Sequence, residues 1–515
     1  MSNFSPYSNY GYMSIIPEAT AGVPLTPTGF LKILSESIET NFANVSVQEI
    51  AGSRERNIRT VPGKIEVGGD VVFYVESKMI GHFLRGLFGA PTTQTLVANT
   101  AYRHVFEVSD TPKTYTIDLK PADAPWVHRY YGVQITAMKI EQDDNRVKCT
   151  ATLAPRKAFI NARVTASVGS GTTLTLDQTA GLTTSDSIRV LDKADGYTTI
   201  ADYTIASVDS DTQLTVSTIG ATLDVGDIVV IKKATTVTYN QDKVFTWLGG
   251  SQVAIGDDID NTAVVSKENF ELEYMNEVDP RWFAGLEESA RYPGDVITKG
   301  FSSKGKIDKF YDNELNLDKL RKNAKIGFRM LMQGETAISA NSAVAAYSEW
   351  GSSNGFRVTA ATAGKAGNDI SVTVVINTTD DLAATQSGNN ITIALANTTA
   401  SKNTGTLIAA AVDALSLVVG AAVGTGATQF TAAVASQNLG FYSGQTNVVG
   451  RDASEKPYLQ FDHAAAKFDT FSPSASEDDV LMEEIPMTFY KDVETATIPK
   501  QWSVRIFLVN AVSSY

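Results

Sequence analysis

Apolar and polar residues alternate at period two through much of the chain, and this alternation predicts a mainly β protein. The pattern is clearest in residues 161–235, for example in Leu174-Thr175-Leu176 and Leu214-Thr215-Val216. Turn residues such as Gly169-Ser170-Gly171 and Asp195-Gly196 separate these runs. Strand-length runs between such turns are typical of a compact all-β domain.

Three segments instead follow the helical period, and we predict a short helix in each. The first has an apolar stripe that ends at Gly89, formed by Met79, Ile80, Phe83, Leu84, Leu87 and Phe88. The second, residues 314–323, is weaker and relies on Leu317 and Leu320. The third lies in residues 407–424, where Asp413 interrupts an apolar run that is too short for a convincing membrane span. We therefore predict no membrane span.

Changes of composition along the chain predict two inserted domains. Residues 1–158 are rich in aromatic and charged residues, and that composition returns in residues 236–347 and 451–515. Between them, residues 161–235 contain no Phe, Trp or Met, and residues 348–450 are dominated by Ala, Thr, Gly and Asn. We predict a first core unit at 1–158 and a second at 236–347 with 451–515. The insertions are then an all-β domain at 161–235 and an α+β domain at 348–450.

The two core units share a sequence pattern, which predicts an internal duplication. A shift of 237 positions aligns Gly63 with Gly300, Gly68 with Gly305, Phe73-Tyr74 with Phe310-Tyr311, Ile80 with Leu317, Phe83 with Leu320 and Arg54 with Arg291. In each unit an extended run leads into a short helix and then into further strands. We take residues 102–108 and 327–332 as the first of these further strands in each unit.

Charge and cysteine content exclude some classes of protein. Across 515 residues, 57 Asp and Glu outnumber 43 Lys and Arg, giving a net charge of −14. Such a protein is a poor ligand for the phosphate backbone of nucleic acids. Cys149 is the only cysteine, so no internal disulfide forms, as is usual for proteins that fold in a reducing cytosol. Met1 to Thr20 is polar and shows no secretory signal.

The sequence offers no convincing catalytic, cofactor or metal site, and we predict that the protein is not an enzyme. Residues 300–307 approach the phosphate-binding loop G-x-x-x-x-G-K-[ST], but Ile307 stands where a hydroxyl must hold Mg²⁺. The stretch also alternates like a strand. None of the four histidines, His82, His104, His128 and His463, lies at metal-ligand spacing from another. No G-x-S-x-G nucleophile turn is present.

Three arginines form the candidate interaction site. Arg54, Arg56 and Arg59 lie in a polar stretch between Val45-Ser46-Val47 and the strand that follows Gly63. One interpretation is a solvated loop. The other is a protruding hairpin whose guanidinium groups pair with an acidic neighbouring subunit.

An ordered set of segments resembles the tail tube proteins of long, non-contractile-tailed bacteriophages (siphophages). The segments are Ile16-Pro17-Glu18-Ala19-Thr20 with Gly22 and Pro24, the arginine-bearing loop, Gly68-Gly69-Asp70-Val71, Tyr102 to Phe106, Tyr131 to Ile135, Val147 to Leu153 and Asp479 to Tyr490. The resemblance implies two related β-sandwich or barrel units, each with a short helix. Small family members lack the two insertions, and larger ones often carry such domains as decorations of the outer surface.

By this resemblance the protein polymerises into stacked rings that form a tail tube, assembled in the host cytoplasm and located in the virion. The implied partners are further copies of the chain, a tape-measure protein in the lumen, tail terminator and tail-tip proteins, and DNA in transit without sequence-specific binding. If each chain supplies two units, three chains close a pseudo-sixfold ring. The alternative hypothesis is an extracellular adhesin or surface-layer protein built of β modules; a cell-wall-degrading tail-tip enzyme is a weaker third.

Overall fold

A computed structural model describes most of the chain. The described residues are 11–48, 57–97, 100–121, 124–184, 186–240, 242–248, 250–257, 259, 262–265, 269–283, 291–310, 315–335, 337–340, 343–351, 353–440, 445–448, 450–451, 454–470, 472–474, 482–491 and 502–515.

The fold is mainly β, as the alternation predicts. Up to residue 163 the strands are β1 (Tyr12–Pro17), β2 (Gly29–Leu31), β3 (Ser35–Glu36), β4 (Glu39–Phe42), β5 (Val45–Gln48), β6 (Asn57–Val61), β7 (Ile65–Tyr74), β8 (Thr92–Val97), β9 (Ala101–Glu107), β10 (Tyr115–Lys120), β11 (Trp126–Asp143), β12 (Arg146–Ala154), β13 (Lys157–Phe159) and β14 (Ala162–Arg163). Next come β15 (Gly171–Thr175), β16 (Ser187–Asp192), β17 (Thr198–Ser210), β18 (Gln213–Ile219), β19 (Ile228–Lys232), β20 (Ser251–Gly256), β21 (Thr262–Val265), β22 (Asn269–Arg281), β23 (Asp295–Phe310), β24 (Ile326–Gln333), β25 (Ser339–Ala340) and β26 (Tyr347–Trp350).

The remaining strands are β27 (Phe356–Ala360), β28 (Ser371–Ile376), β29 (Ala383–Ser387), β30 (Asn390–Leu395), β31 (Val418–Ala422), β32 (Val434–Asn438), β33 (Thr446–Val448), β34 (Ser454–Glu455), β35 (Tyr458–Phe468), β36 (Ser472–Ser474), β37 (Met482–Tyr490) and β38 (Arg505–Asn510). The helices are α1 (Ile80–Phe88), α2 (Leu315–Arg321) and α3 (Gly405–Asp413). The first two fall where the helical patterns predict them, whereas α3 covers only the first part of the predicted run 407–424, whose later part contains β31. Two 3-10 turns, Lys365–Asp369 and Ala400–Asn403, complete the described elements. Within this part of the chain, no helix is both long enough and apolar enough to cross a membrane.

One long antiparallel sheet organises the molecule. Its strands follow the order β3 and β4, β7, β12, β11, β22, β23, β37, and finally β35 with β36. The junction between β11 and β22 joins the first half of the chain to the second, with Ala137 opposite Met275 and Glu141 opposite Glu271. One face of this sheet packs on the main hydrophobic core.

Helix α1 packs against both halves of the long sheet. The ring of Phe83 lies 4.5 Å from that of Phe73 on β7, and the ring of Phe88 lies 5.4 Å from that of Tyr274 on β22. Leu84 and Leu87 are fully buried beside them. Burial of each such side chain contributes about 1.5–3 kcal/mol relative to exposure. The helix therefore holds the two halves in one core.

The two halves pair their strands in the same order. In the first half β1 pairs with β2 and β10, β10 with β11, β11 with β12 and β13, and β7 with both β12 and β4. In the second half β20 pairs with β21 and β24, β24 with β35, β35 with β37 and β38, and β23 with both β37 and β22. A helix follows β7 and β23 alike.

Both halves also contain the same irregularity. From Ile135 to Lys139 β11 advances four residues while its partner β12 moves only three, from Leu153 to Thr150. From Phe468 to Ser472 the chain again advances four residues while β37 moves three, from Met487 to Glu484. The first is a one-residue β-bulge, and the second shift of register falls at the equivalent place in the unit. The pairing order and the register shift together are strong structural signs of a repeat.

The sequence alignment of the repeat was wrong in two details. Strands β7 and β23 superpose at an offset of 236, because buried Val71 and Phe73 must meet buried Ile307 and Lys309; an offset of 237 would place Val71 on the open-face residue Asp308. Strand β9 is also not the counterpart of β24. The pairing assigns that position to β10, and β8 and β9 form an additional hairpin that pairs with β38.

Two further groups of strands have cores of their own. Strands β14 to β19 enclose a cluster that includes Leu174, Ile188 and Val229 and that also takes in Tyr12, Val127 and Phe159. Strands β26 to β33 with α3 enclose a third cluster around Trp350, Val372 and Ile408, in which β28 and β30 are parallel.

Candidate assembly and conduit surfaces

The long sheet has one open face. Inward positions such as Val71, Ile140, Leu272 and Ile307 are buried, so their neighbours point away from the core. The outward residues include Glu66, Asp70, Val72, Ala137, Lys139, Glu141, Lys148, Thr150, Thr152, Glu271, Glu273, Met275, Glu277, Ser302, Lys304, Lys306, Asp308, Glu484 and Thr488. Met275 is 52% exposed beside a shallow groove of about 320 Å³. Carboxylates outnumber ammonium groups on this face.

Several lysines of the open face are paired with carboxylates. Lys139 Nζ lies 3.0 Å from Glu141 and 2.9 Å from Glu271. Lys148 lies 2.9 Å from Glu141, and Lys306 lies 2.9 Å from Glu484. Burial alone would raise the pKa of Glu141, but hydrogen bonds from Lys148 and Lys139 outweigh it and lower that pKa. The hydrogen bond to Glu484 raises the pKa of Lys306. These lysines are charged and locally neutralised.

Two β-hairpins extend beyond the point where β7 pairs with β12 and β22 pairs with β11. The first contains β4 to β7, and the second is β22 with β23. Arg291 Nε donates to the carbonyl of Gly63 at 2.8 Å, and Lys64 Nζ lies 4.1 Å from the centroid of the Trp282 ring. Gly63 is required here because a Cβ atom would lie 1.8 Å from the carbonyl oxygen of Ala43. We call this pair the joined hairpins.

The joined hairpins expose apolar side chains. Phe42 is 49% exposed and Phe283 is 63% exposed; Val45, Val61 and Ile297 are exposed as well. A cluster of exposed apolar residues at a protruding end is typical of a protein interface.

The structure only partly locates the three candidate arginines. Strand β6 contains Arg59, which pairs opposite Val47 in a hairpin, so the stretch is not a plain loop at that point. Arg54 and Arg56 lie outside the described residues. Whether the three arginines contact another subunit stays a prediction.

The long sheet has an open side at each end, formed by β3 and β4 at one end and by β36 at the other. Among the described residues, β3 and β4 pair only with β7, and β36 pairs only with β37. An unpaired strand edge offers N–H and C=O groups to another chain. Residues 35–42 and 472–474 are therefore candidate contact strands.

A buried ion cluster connects the first half of the core to the segment β14–β19. Arg129, which is fully buried, donates to Asp118 Oδ1 at 2.7 Å and to Asp186 Oδ2 at 2.5 Å. Burial raises the pKa of Asp118 even beside Arg129. Burial alone would lower the pKa of Arg129, but the two carboxylates raise it overall. Sequence inspection did not find this cluster, because its members are separated by up to 68 positions along the chain.

The histidines are buried or half-buried rather than exposed. His463 is buried and His82 is half-buried, and burial lowers the pKa of His82 to about 4 and that of His463 to about 3. The hydroxyl of Tyr274 lies 3.1 Å from Nε2 of His463. Within the described ranges, no three His, Cys, Asp or Glu side chains are placed to hold a metal ion. Residues 300–307 lie inside strand β23, as their alternation predicts.

Comparison with protein families gives one match. The sequence model of a family described as phage tail tube protein matches residues 9–345, which is well over half of the chain. A search of curated proteins found no match. The mainly β fold, the long sheet with an open face and the family match agree with one another, so the chain belongs to the phage tail tube protein family and is a structural protein of the phage tail.

Proposed function

We propose that this chain polymerises into stacked rings whose shared lumen conducts DNA, and that the open face of the long sheet lines that lumen. The observation that carries the proposal is the single continuous sheet with one buried face, one open acidic face and an open strand edge at each end. Such a sheet closes into a ring when the edges of neighbouring chains pair.

The charge of the open face supports a conduit for a polyanion. Glu273 and Glu277 lie on the open face and would face the phosphates of DNA in the lumen. Lys139, Lys148 and Lys306 are paired with carboxylates. A lumen with free cations would bind DNA through counterion release, and this face limits that contribution. DNA can then move through the lumen without binding tightly to its wall.

The repeat supports a ring of three chains. Each chain supplies two units with the same strand order and the same register shift, so three chains present six similar units around the ring. We further propose the siphophage type of tail, assembly in the host cytoplasm, a tape-measure protein in the lumen during assembly, and contacts with tail terminator and tail-tip proteins.

The two additional core clusters support the division of the chain predicted from composition. We propose that residues 161–235 and 348–450 are decoration domains inserted into a duplicated tube core at 1–158 and at 236–347 with 451–515. Most members of one buried cluster lie in residues 161–235, although Tyr12, Val127 and Phe159 of the first unit complete it, and nearly all members of another lie in residues 348–450.

Electron microscopy of the concentrated protein tests the proposal. We expect hollow tubes with a regular axial repeat and end-on averages in which three chains form six similar lobes. A monodisperse monomer at all concentrations would contradict the tube, and six chains per ring would contradict the trimer alone.

Substitution of the candidate arginines tests their proposed contact with a neighbouring subunit. The triple variant Arg54→Glu, Arg56→Glu, Arg59→Glu is expected to remain folded by circular dichroism but to stay unassembled in sedimentation. Asp195→Lys on an exposed turn of the β14–β19 segment is the control and should assemble normally. Tubes of normal length from the triple variant would exclude these arginines from assembly.

A further inference from the structure

We infer that the ring closes by antiparallel pairing of β4 of one chain with the edge that contains Thr470 and β36 of the next, in the register that β22 and β11 already use inside the chain. The inference rests on the proposed tube and adds the two strands that meet and their alignment. The partner is a second copy of this chain.

The first contact strand is identified by its counterpart β22. Strand β22 pairs with β23 so that Glu273 is opposite Lys304 and Met275 opposite Ser302. The residues equivalent to Lys304 and Ser302 at the offset of 236 are Gly68 and Glu66, and these pair with Glu39 and Asn41. One offset of 234 relates all of β3 and β4 to β22, including Ser35 and Glu36 to residues 269 and 270.

The second contact strand is identified by its counterpart in β11. Residues 139–141 pair with 150–148 of β12, and residues 472–474 pair with 484–482 of β37. Residues 139–141 therefore correspond to residues 472–474, an offset of 333. The same offset relates Ile135 to Phe468 on the other side of the register shift. Residues 137–141, which pair with β22, thus correspond to the edge that contains Thr470 and β36.

Transfer of the internal junction gives the register between chains. Inside the chain Ala137 is opposite Met275, and Lys139 is opposite Glu273. The equivalent pairs are Thr470 opposite Asn41 and Ser472 opposite Glu39, with one member on each chain. Strand β4 lies at one end of the sheet and β36 lies at the other, so the two cannot pair within one chain.

The two edge strands are exposed, and one of them contains a proline that limits pairing with unrelated strands. Glu39 and Asn41 are exposed on β4, and Thr470 is exposed just before β36. Pro473 has no N–H group, so this short edge offers fewer hydrogen bonds to unrelated strands. Pairing with an incorrect partner is thereby limited before the ring forms.

Cysteine crosslinking tests the register. The variant Asn41→Cys, Thr470→Cys places two thiols opposite each other across the inferred junction, where Cβ atoms of facing residues are about 4.5–5.5 Å apart. Oxidation of assembled tubes removes two electrons and two protons per pair and forms the disulfide. We expect covalent dimers and closed trimers on non-reducing gels. Cys149 is buried and does not compete.

Two matched variants calibrate the result. The variant Ala137→Cys, Met275→Cys places its two thiols at the equivalent internal junction. It should form a disulfide within one chain, so that no covalent dimer or trimer is seen on non-reducing gels. Thr40→Cys, Thr470→Cys shifts the register by one residue, which points one side chain to the other face, and should give little crosslinking.

Hydrogen exchange of the unsubstituted protein provides an independent measurement. We expect the backbone amides of residues 37–41 and of Thr470, Ser472 and Ser474 to exchange at least ~10-fold more slowly in tubes than in unassembled chains. Tubes that show neither this protection nor the crosslink would overturn the inferred junction while leaving the proposed tube intact. Absence of tubes from the unsubstituted chain would instead contradict the proposed function itself.

Discussion

At the scale of single residues, the cluster around Arg129 has the largest energetic consequence. Removal of the guanidinium leaves Asp118 and Asp186 buried without a counter-charge. We expect Arg129→Met to lower the free energy of unfolding by about 3–5 kcal/mol. Urea denaturation of the unassembled protein measures this loss.

Arg189 provides the matched control for Arg129. It pairs with Asp202 at 2.7 Å in the β14–β19 segment but is partly exposed. Arg189→Met is expected to cost less than about 1 kcal/mol. Equal losses in the two variants would show that burial of the Arg129 cluster does not determine its contribution.

The histidines His82 and His463 predict sensitivity to acid. Their pKa values lie below the ordinary value of 6.5, at about 4 for His82 and about 3 for His463. Below pH 6.5 the unfolded chain therefore binds more protons than the folded chain does. As the pH falls, each histidine lowers the free energy of unfolding by up to about 1.4 kcal/mol per pH unit, until the pKa of that histidine in the folded chain is reached. Unfolding curves between pH 7 and pH 4 should show this decline. His82→Phe should reduce the slope, and an unchanged slope would argue against a neutral His82.

At the scale of elements, the sequence predicts whether a segment is a strand or a helix better than it predicts which strands pair. Alternation and apolar stripes are local properties, so they locate the strands and the helix Gly405–Asp413 within a few residues. Pairing depends on contacts between distant segments. The sequence therefore could not show that β10 rather than β9 corresponds to β24, or which side chains form the open face. The Arg129 cluster was missed for the same reason.

The proposed inserted domain at 348–450 lies between two residues that are already neighbours. Val344 and Arg451 exchange both backbone hydrogen bonds at 2.9 Å. Replacement of residues 345–450 by Asn-Gly should therefore close a hairpin without disturbing the core. We expect this deletion variant to fold and to form tubes visible by electron microscopy. Loss of assembly would show that the segment contributes to the tube.

Deletion of residues 161–235 is expected to behave differently. It removes Asp186 from Arg129 and the backbone N–H of Ala234 from the hydroxyl of Tyr12, and it uncovers Val127 and Phe159. We expect aggregation or a lower unfolding midpoint in thermal denaturation. A deletion variant as stable as the full chain would contradict the close attachment of this segment.

At the scale of the whole molecule, the acidic open face predicts how the tube responds to DNA. Glu273→Lys with Glu277→Lys places two new cations on the proposed lumen. Tubes of this variant should retain DNA, with an affinity whose logarithm falls by about 0.9 per new phosphate contact for each tenfold rise in salt. Filter binding at several salt concentrations measures this slope.

Charge reversal on the segment β14–β19 is the control for the lumen. Asp195→Lys with Asp211→Lys changes the net charge by the same amount on exposed turns. If both variants retain DNA equally, the location of the charge is irrelevant and the open face does not line the conduit.

The hydrogen-bonded neighbours Val344 and Arg451 also make the protein a candidate scaffold for display. A folded guest domain whose termini lie close together could replace residues 345–450 and enter the chain there as a hairpin extension. Each copy of the chain would then carry one guest, and polymerisation would repeat the guest at fixed intervals along a filament. The backbone contact that flanks the proposed insertion would thus allow enzymes, epitopes or binding domains to be arrayed at a spacing set by the tube.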